Sequence, residues 1–194
     1  PLKWSKKRTG EASPYYIFHP LVSKRIKNEL PKVKILVVLR NPILRAYSHY
    51  QMQKRQGIEP LNSFEEAIEK ESIRLEGEKL KMLSDTSYNS VNYKRFSYAS
   101  RGMYFEQVTR WIETFGAEQV HFIKSESLNQ DPNSELIKVY KFLGLNDHLP
   151  ESFAKKHVHN YPGIESETFE YLKDLYTDDQ DKLVSVLGEE FRWF

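Results

Sequence analysis

The stretch VKILVVLRNPILRAYSHY, residues 33–50, decides the fold. Its first seven residues are apolar apart from Lys34, which is typical of a strand buried on both faces of a parallel sheet. We therefore predict a central strand at 33–39. Pro42 suits the first turn of a helix, and the apolar residues after it keep helical spacing as far as about Arg55. A strand, a short loop and a helix make half of a β-α-β unit.

The rest of the chain predicts a helix-rich α/β domain. Ser63 and Glu66 form a capping box at the start of a helix, and residues 118–124 alternate like a second strand. Residues 84–100 are polar with interspersed aromatics and predict a long surface loop. The predicted helices span about 63–75, 103–115, 132–143, 168–176 and 178–187.

Composition limits the possible functions. The 194 residues suit a single domain over 1–194. The absence of cysteine excludes a disulfide framework, a thiolate zinc site and a cysteine nucleophile. A net charge of 29 − 27 = +2 argues against a nucleic-acid binder that relies on massed charge. No run is long enough and apolar enough to span a bilayer.

Three polar residues lie where the predicted fold is expected to bind a ligand. Arg40 leaves the carboxyl end of the predicted strand, the edge where open α/β sheets bind ligands. Arg45 and Ser48 are three apart and share one face of the following helix. A guanidinium, a hydroxyl and free backbone N–H groups at a helix N-terminus suit a phosphate or sulfate. On these residues alone, a solvated basic helix face remains the alternative.

Four segments in order resemble the sulfotransferases that use 3′-phosphoadenosine 5′-phosphosulfate (PAPS), in particular the bacterial and heparan-sulfate-type branch. They are GEASPYYIFHP at 10–20, LRNPILRAYSHY at 39–50, RGMYFEQVTRWIETF at 101–115 and FLGL at 142–145. The C-terminal stretch with Tyr161-Pro162 and Trp193 is similar too. The resemblance implies a P-loop-kinase-like three-layer fold, with a central parallel sheet and helices on both faces.

The resemblance also implies a mechanism for individual residues. Arg40 and Ser48 would hold the 3′-phosphate of PAPS, with Arg45 as a further candidate ligand in the same nucleotide site. Glu11 would be the catalytic base that takes the proton of a hydroxyl acceptor as it attacks sulfur. The reaction resembles phosphoryl transfer, in which positioning and charge neutralisation do most of the work. No metal is required.

Two features depart from the family pattern. Position 12 is Ala where many relatives have Lys, and the Gly-rich loop that cradles the 5′-phosphosulfate is absent from these residues. The chain starts at Pro1, so we expect it to begin inside a longer protein and to hold half of a donor site. Near the C-terminus, His157-Val158-His159 replaces a Lys-Gly-Arg string, and the neighbouring Lys155 and Lys156 are candidates for nucleotide binding.

The acceptor is the least determined part. The family's acceptors include glycans, small alcohols, protein tyrosines and carrier-bound acyl chains, and the sequence selects none. Arg101 is a candidate for contacting the sulfate or an acidic acceptor, while Tyr93 and Tyr98 would either stack on the acceptor or anchor their loop. The alternative function is a non-catalytic module that binds a nucleotide or an anionic glycan. A bacterial cytoplasmic location is favoured, with the Golgi lumen left open.

Overall fold

The computed structural model describes residues 9–146, 148–150, 152–153 and 163–194. Its strands are β1 (Ile35–Leu39) and β2 (Val120–Lys124). Its helices are α1 (Val22–Glu29), α2 (Pro42–Arg55), α3 (Phe64–Glu69), α4 (Glu71–Leu75), α5 (Glu78–Ser84), α6 (Val91–Arg95), α7 (Tyr104–Phe115), α8 (Ser125–Gln130), α9 (Pro132–Leu143) and α10 (Ser166–Leu187).

β1 and β2 pair in parallel, as the β-α-β pattern predicted. The register runs from Ile35 opposite Val120 to Leu39 opposite Lys124. Both strands therefore end at the same edge of the sheet, and the residues that follow them meet there. The α/β class is confirmed.

Helices cover the two faces of this sheet unequally. Val37 and Leu39 face the main core together with residues of α7 and α10. On the opposite face, the Phe142 ring of α9 stacks on His121 of β2 with ring centroids 5.2 Å apart. Leu36 and Val38 of β1 remain 40% and 55% exposed. Within the described residues β1 thus has one partner strand and one open face, so the prediction of a strand buried on both faces is wrong there.

Most helix predictions are confirmed and two need correction. α2 and α7 lie where the apolar spacing put them, and the Asp131 carboxylate caps α9 by accepting from the Ser134 N–H at 3.1 Å. The predicted helix at 63–75 is present as α3 and α4, which meet at Lys70. The two short C-terminal helices are one 22-residue helix, α10. Leu172, Tyr176 and Leu183 keep a single buried face across its length, and no Gly or Pro interrupts it.

The segment 84–100 is not a surface loop throughout. Ser90 caps the short helix α6 by accepting a hydrogen bond from the Tyr93 N–H at 2.9 Å. Ser90 and Ser97 are fully buried with their hydroxyls hydrogen-bonded. Polar composition misled the prediction because these serines satisfy backbone and carboxylate groups inside the protein.

The N-terminus of α7 is capped from another helix. The Asp179 carboxylate of α10 accepts the N–H of Tyr104 at 2.7 Å and that of Phe105 at 3.2 Å. A negative charge at this end also matches the helix dipole. This contact joins α10 to the helix that reaches the carboxyl edge of the sheet.

Removing this cap tests how much the α7–α10 junction contributes to stability. Asp179→Ala leaves the buried N–H of Tyr104 and the half-buried N–H of Phe105 without this acceptor, which costs about 1–3 kcal/mol. For a chain of this size, the melting temperature should fall by roughly 2–12 °C. The matched control is Asp178→Ala, because Asp178 forms only an exposed ion pair with Lys182 and such pairs contribute little. Equal melting temperatures for the two variants would contradict the assigned role.

Candidate functional site

The site is built around the turn that joins β1 to α2. Arg40 follows the last strand residue and is exposed, and its carbonyl accepts the Tyr104 hydroxyl at 2.9 Å. Asn41 is the N-cap of α2, and its backbone N–H donates to the Glu126 carboxylate at 2.9 Å. Among the residues that the structure describes, no ion-pair partner holds the Arg40 guanidinium. This cation is therefore available at the carboxyl edge of the sheet.

The backbone N–H groups at the start of α2 are not free, contrary to the sequence prediction. The Asn41 side-chain oxygen accepts from the N–H of Ile43 at 3.0 Å and of Leu44 at 3.1 Å. The Arg45 N–H donates to the Asn41 carbonyl at 2.9 Å, and Pro42 has no N–H. An anion at the start of α2 would have to be held by side chains.

Arg45 has a hydrogen-bond partner inside the protein. Its guanidinium donates to the Tyr98 carbonyl and lies close to Tyr176 and Arg101. Ser48, one turn further along α2, is half-buried. Arg45 therefore contributes to the core, whereas Arg40 is exposed.

Glu11 is exposed on the segment before α1. Its carboxylate accepts a hydrogen bond from the Tyr16 hydroxyl, and Tyr16 packs against the main core. This bond raises the pKa of the Tyr16 hydroxyl, which therefore remains a donor at neutral pH. The carboxylate is thus tethered to the body of the protein while its remaining lone pairs face solvent.

The two candidate tyrosines have different surroundings. Tyr98 is fully buried, and its hydroxyl donates to Glu59 at 2.7 Å. It cannot stack on an acceptor, so that part of the prediction is wrong and the anchoring alternative is confirmed. Tyr93 is 7% exposed and stacks on Phe18 with ring centroids 4.4 Å apart. Burial raises the pKa of Tyr93 to about 12.

The Arg101 side chain is held by neighbouring residues next to a cleft. Its guanidinium donates to the Lys94 carbonyl at 2.8 Å and the Ser97 hydroxyl at 3.0 Å, and it lies 5.2 Å from the ring centres of both Tyr15 and Phe18. Burial lowers the pKa of Arg101 to about 10, so the group stays charged at neutral pH. The adjoining cleft measures about 430 Å³, and its walls include Phe18, Tyr93, Ser100, Met103 and Phe105.

Sequence reasoning missed a group of residues at the carboxyl edge. Trp193 donates its indole N–H to Glu126 at 3.0 Å, and Lys124 donates to the carbonyls of Glu190 and Arg192. Lys124 is the last residue of β2, and Glu126 follows this strand just as Arg40 follows β1. Pairing the two predicted strands in parallel would have placed them beside the Arg40 turn.

The remaining candidates are quickly placed. Lys155 and Lys156, with the 157–159 string, lie outside the described residues. His49 is a core residue, buried with its ring edge-on to Tyr98 at 5.0 Å. In the described ranges, no group of three or more His, Asp or Glu side chains is arranged to hold a metal ion.

Comparison with known proteins identifies the family. The family model described as the sulfotransferase domain matches residues 13–183, and the chain belongs to the sulfotransferase family. A crystal structure of a sulfotransferase from Alicyclobacillus acidocaldarius is similar, with a TM-score of 0.71 and 31% identity over 92% of this chain and 64% of that chain. The fold is thus the P-loop-like α/β fold that the sequence resemblance implied.

Curated relatives are longer than this chain. A membrane-associated sulfotransferase of Dictyostelium discoideum is 24% identical over 97% of this chain and 54% of its own length. The bifunctional heparan sulfate N-deacetylase/N-sulfotransferase 1 of Caenorhabditis briggsae is 30% identical over 94% of this chain and 20% of its own. This chain therefore spans about half or less of these two relatives. Within its described part, no helix has the length and apolarity of a membrane span.

The buried His49 predicts a pH dependence of stability. Burial lowers its pKa to about 2, and the charges of Arg101 and Arg45 act in the same direction. The unfolded chain takes up this proton near pH 6.5 and the folded protein does not. The contribution to stability is therefore complete above about pH 6.5 and is lost as the pH falls, by up to about 1.4 kcal/mol per pH unit.

The free energy of unfolding, measured by urea denaturation, should fall less between pH 7 and pH 5 in His49→Gln than in the wild type. The difference in slope should approach that of one proton, about 1.4 kcal/mol per pH unit. Any difference between variant and wild type at pH 7.5 measures lost packing instead. Parallel pH profiles for the two proteins would show that His49 is not held neutral.

Proposed function

We propose that this sulfotransferase-family chain transfers a sulfuryl group from PAPS to a hydroxyl acceptor. The observation that carries the proposal is the Arg40 turn: an exposed guanidinium at the carboxyl edge of a parallel strand, with no ion-pair partner among the described residues. Family membership supports the reaction class. The positive charge at this edge supports an anionic donor.

Arg40 and Ser48 are the proposed ligands of the donor's 3′-phosphate. A guanidinium forms charge-assisted, bidentate hydrogen bonds with phosphate oxygens, and a hydroxyl can donate a third. Arg45 remains a proposed ligand as well, because its hydrogen bond to the Tyr98 carbonyl uses only one of the five guanidinium N–H donors. Lys155 and Lys156 remain proposed nucleotide ligands. The 194 residues contain no Gly-rich string for the 5′-phosphosulfate, so we assign only the 3′-phosphate half of the donor site to them.

Glu11 is the proposed general base. The acceptor oxygen attacks the sulfur, the bond from sulfur to the bridging phosphate oxygen breaks, and adenosine 3′,5′-bisphosphate (PAP) leaves. The acceptor proton passes to the Glu11 carboxylate. The hydrogen bond from Tyr16 holds that carboxylate in one orientation, which supports the positioning that in-line transfer requires.

The acceptor is proposed to approach the cleft beside Ser100. Its wall includes Tyr93, and Arg101 lies next to Ser100 in the chain. One relative is named for heparan sulfate, which makes a glycan one acceptor class to test. A chain that binds PAP without turnover of any acceptor would instead be the alternative, a non-catalytic nucleotide-binding module.

Calorimetric titration with PAP tests the donor site. Arg40→Ala should raise the dissociation constant roughly 10- to 150-fold, because a hydrogen bond to a charged group contributes about 1.5–3 kcal/mol. Ser48→Ala should raise it less, by about two- to tenfold. Lys32→Ala is the matched control, since Lys32 is exposed before the opposite end of β1. The same titrations on the full-length gene product show whether residues outside this chain add affinity. Unchanged affinity in Arg40→Ala would refute the donor site.

Turnover of PAPS tests the base. Glu11→Gln should lower kcat about 10²- to 10⁴-fold while PAP affinity stays within about twofold, because the carboxamide keeps the shape and loses the basic oxygen. PAP release is followed with a heparosan oligosaccharide, 2-naphthol and a fatty alcohol as acceptors. Glu113→Gln on the exposed side of α7 is the control. A variant as active as the wild type would exclude Glu11 as base.

A further inference from the structure

A single peptide group at the site is held from both sides. The Arg40 carbonyl and the Asn41 N–H belong to the same planar unit. The carbonyl accepts the Tyr104 hydroxyl at 2.9 Å, and the N–H donates to Glu126 Oε1 at 2.9 Å. Neither bond belongs to a helix or to the sheet ladder. The two partners come from α7 and α8, which lie 64 and 85 residues further along the chain.

The two side chains are themselves fixed. Tyr104 is 4% exposed, its own N–H is held by Asp179, and its ring centroid lies 5.9 Å from that of Trp193. The second oxygen of Glu126 accepts the Trp193 indole N–H at 3.0 Å. The C-terminal segment is attached to the end of β2 by a second contact, because the Lys124 ammonium donates to the carbonyl of Arg192 at 2.8 Å.

The charge of Glu126 is opposite to what an anion site needs. A carboxylate at this edge repels a phosphate by simple electrostatics. Both of its oxygens, however, accept hydrogen bonds from N–H donors. Its contribution is therefore one of orientation, which a neutral side chain with a single acceptor oxygen cannot supply.

We infer that Glu126 and Tyr104 are positioning residues for the anion site, which they act on by fixing the Arg40–Asn41 peptide. The orientation of this peptide sets the direction in which Arg40 leaves β1. It also sets the start of α2, through the Asn41 cap, and hence the place of Ser48 relative to Arg40. The inference rests on the proposed function, in which these two residues hold the 3′-phosphate.

The test is a double-mutant cycle with PAP as ligand. Glu126→Gln keeps the shape of the side chain, but its NH₂ group then faces either the Asn41 N–H or the Trp193 indole N–H, and one of these hydrogen bonds is lost. PAP affinity should therefore fall about tenfold, although the substitution removes a negative charge. Tyr104→Phe, the second variant, should cost a similar factor and does not depend on Glu126→Gln folding. Combined with Arg40→Ala, either substitution should add clearly less than it costs alone, because the main group that the peptide orients is gone and only Ser48 remains.

Two controls separate positioning from lost stability. Tyr98→Phe removes a buried hydroxyl that contacts Glu59 instead; it should lower the melting temperature and leave PAP affinity unchanged. Adenosine 5′-monophosphate lacks the 3′-phosphate, so its affinity should not respond to Glu126→Gln.

The results distinguish this inference from the proposed function. Arg40→Ala binding PAP as the wild type does would overturn both. Weakened binding in Arg40→Ala together with wild-type or tighter binding in Glu126→Gln and Tyr104→Phe would overturn the positioning role alone. Losses that add fully to that of Arg40→Ala would do the same.

Discussion

The parallel pairing of β1 with β2 is the interaction on which the site depends. Its register places Leu39 opposite Lys124, so the chain leaves both strands at one edge and within hydrogen-bonding distance. Without that pairing, Arg40 and Glu126 would be 86 residues apart in sequence with no reason to meet. Parallel strands bring together the residues that follow them, which is why α/β proteins bind ligands at this edge.

Four arginines of the chain are used in different ways, and burial decides which. Arg45 and Arg101 are drawn inside, where carbonyl and hydroxyl oxygens accept their hydrogen bonds. Arg74 is paired with the buried Glu59 at 2.6 Å. Buried charges need such partners because the interior cannot solvate them. Arg40 alone of these four arginines is exposed at the strand end, and this is what distinguishes a candidate ligand residue from a structural one.

The same competition for hydrogen bonds explains where sequence reasoning failed. Arg45 and Ser48 share a helix face by spacing, but spacing does not reveal that the Tyr98 carbonyl accepts from the Arg45 guanidinium. The position of α2 after the strand predicts free N–H groups at its start, but Asn41 caps them, and Asn before Pro at a helix start is a strong capping signal. Tyr98 looked like a surface aromatic because its acceptor, Glu59, is 39 residues away.

Local patterns were sufficient for the elements themselves. The apolar run at 33–39, the helical spacing after Pro42 and the Asp131 cap each depend on neighbours within a few residues, so the sequence alone determined β1, α2 and α9 and, through four short motifs, the family. The distant partners of polar groups, such as Glu126 for the Asn41 N–H, follow from the tertiary structure alone. Burial, strand pairing and the return of the C-terminal segment to Glu126 bring together residues that no local spacing relates. A buried donor bonds to the acceptor that the fold places about 3 Å away. When the two residues are far apart in sequence, local patterns do not reveal which acceptor that is.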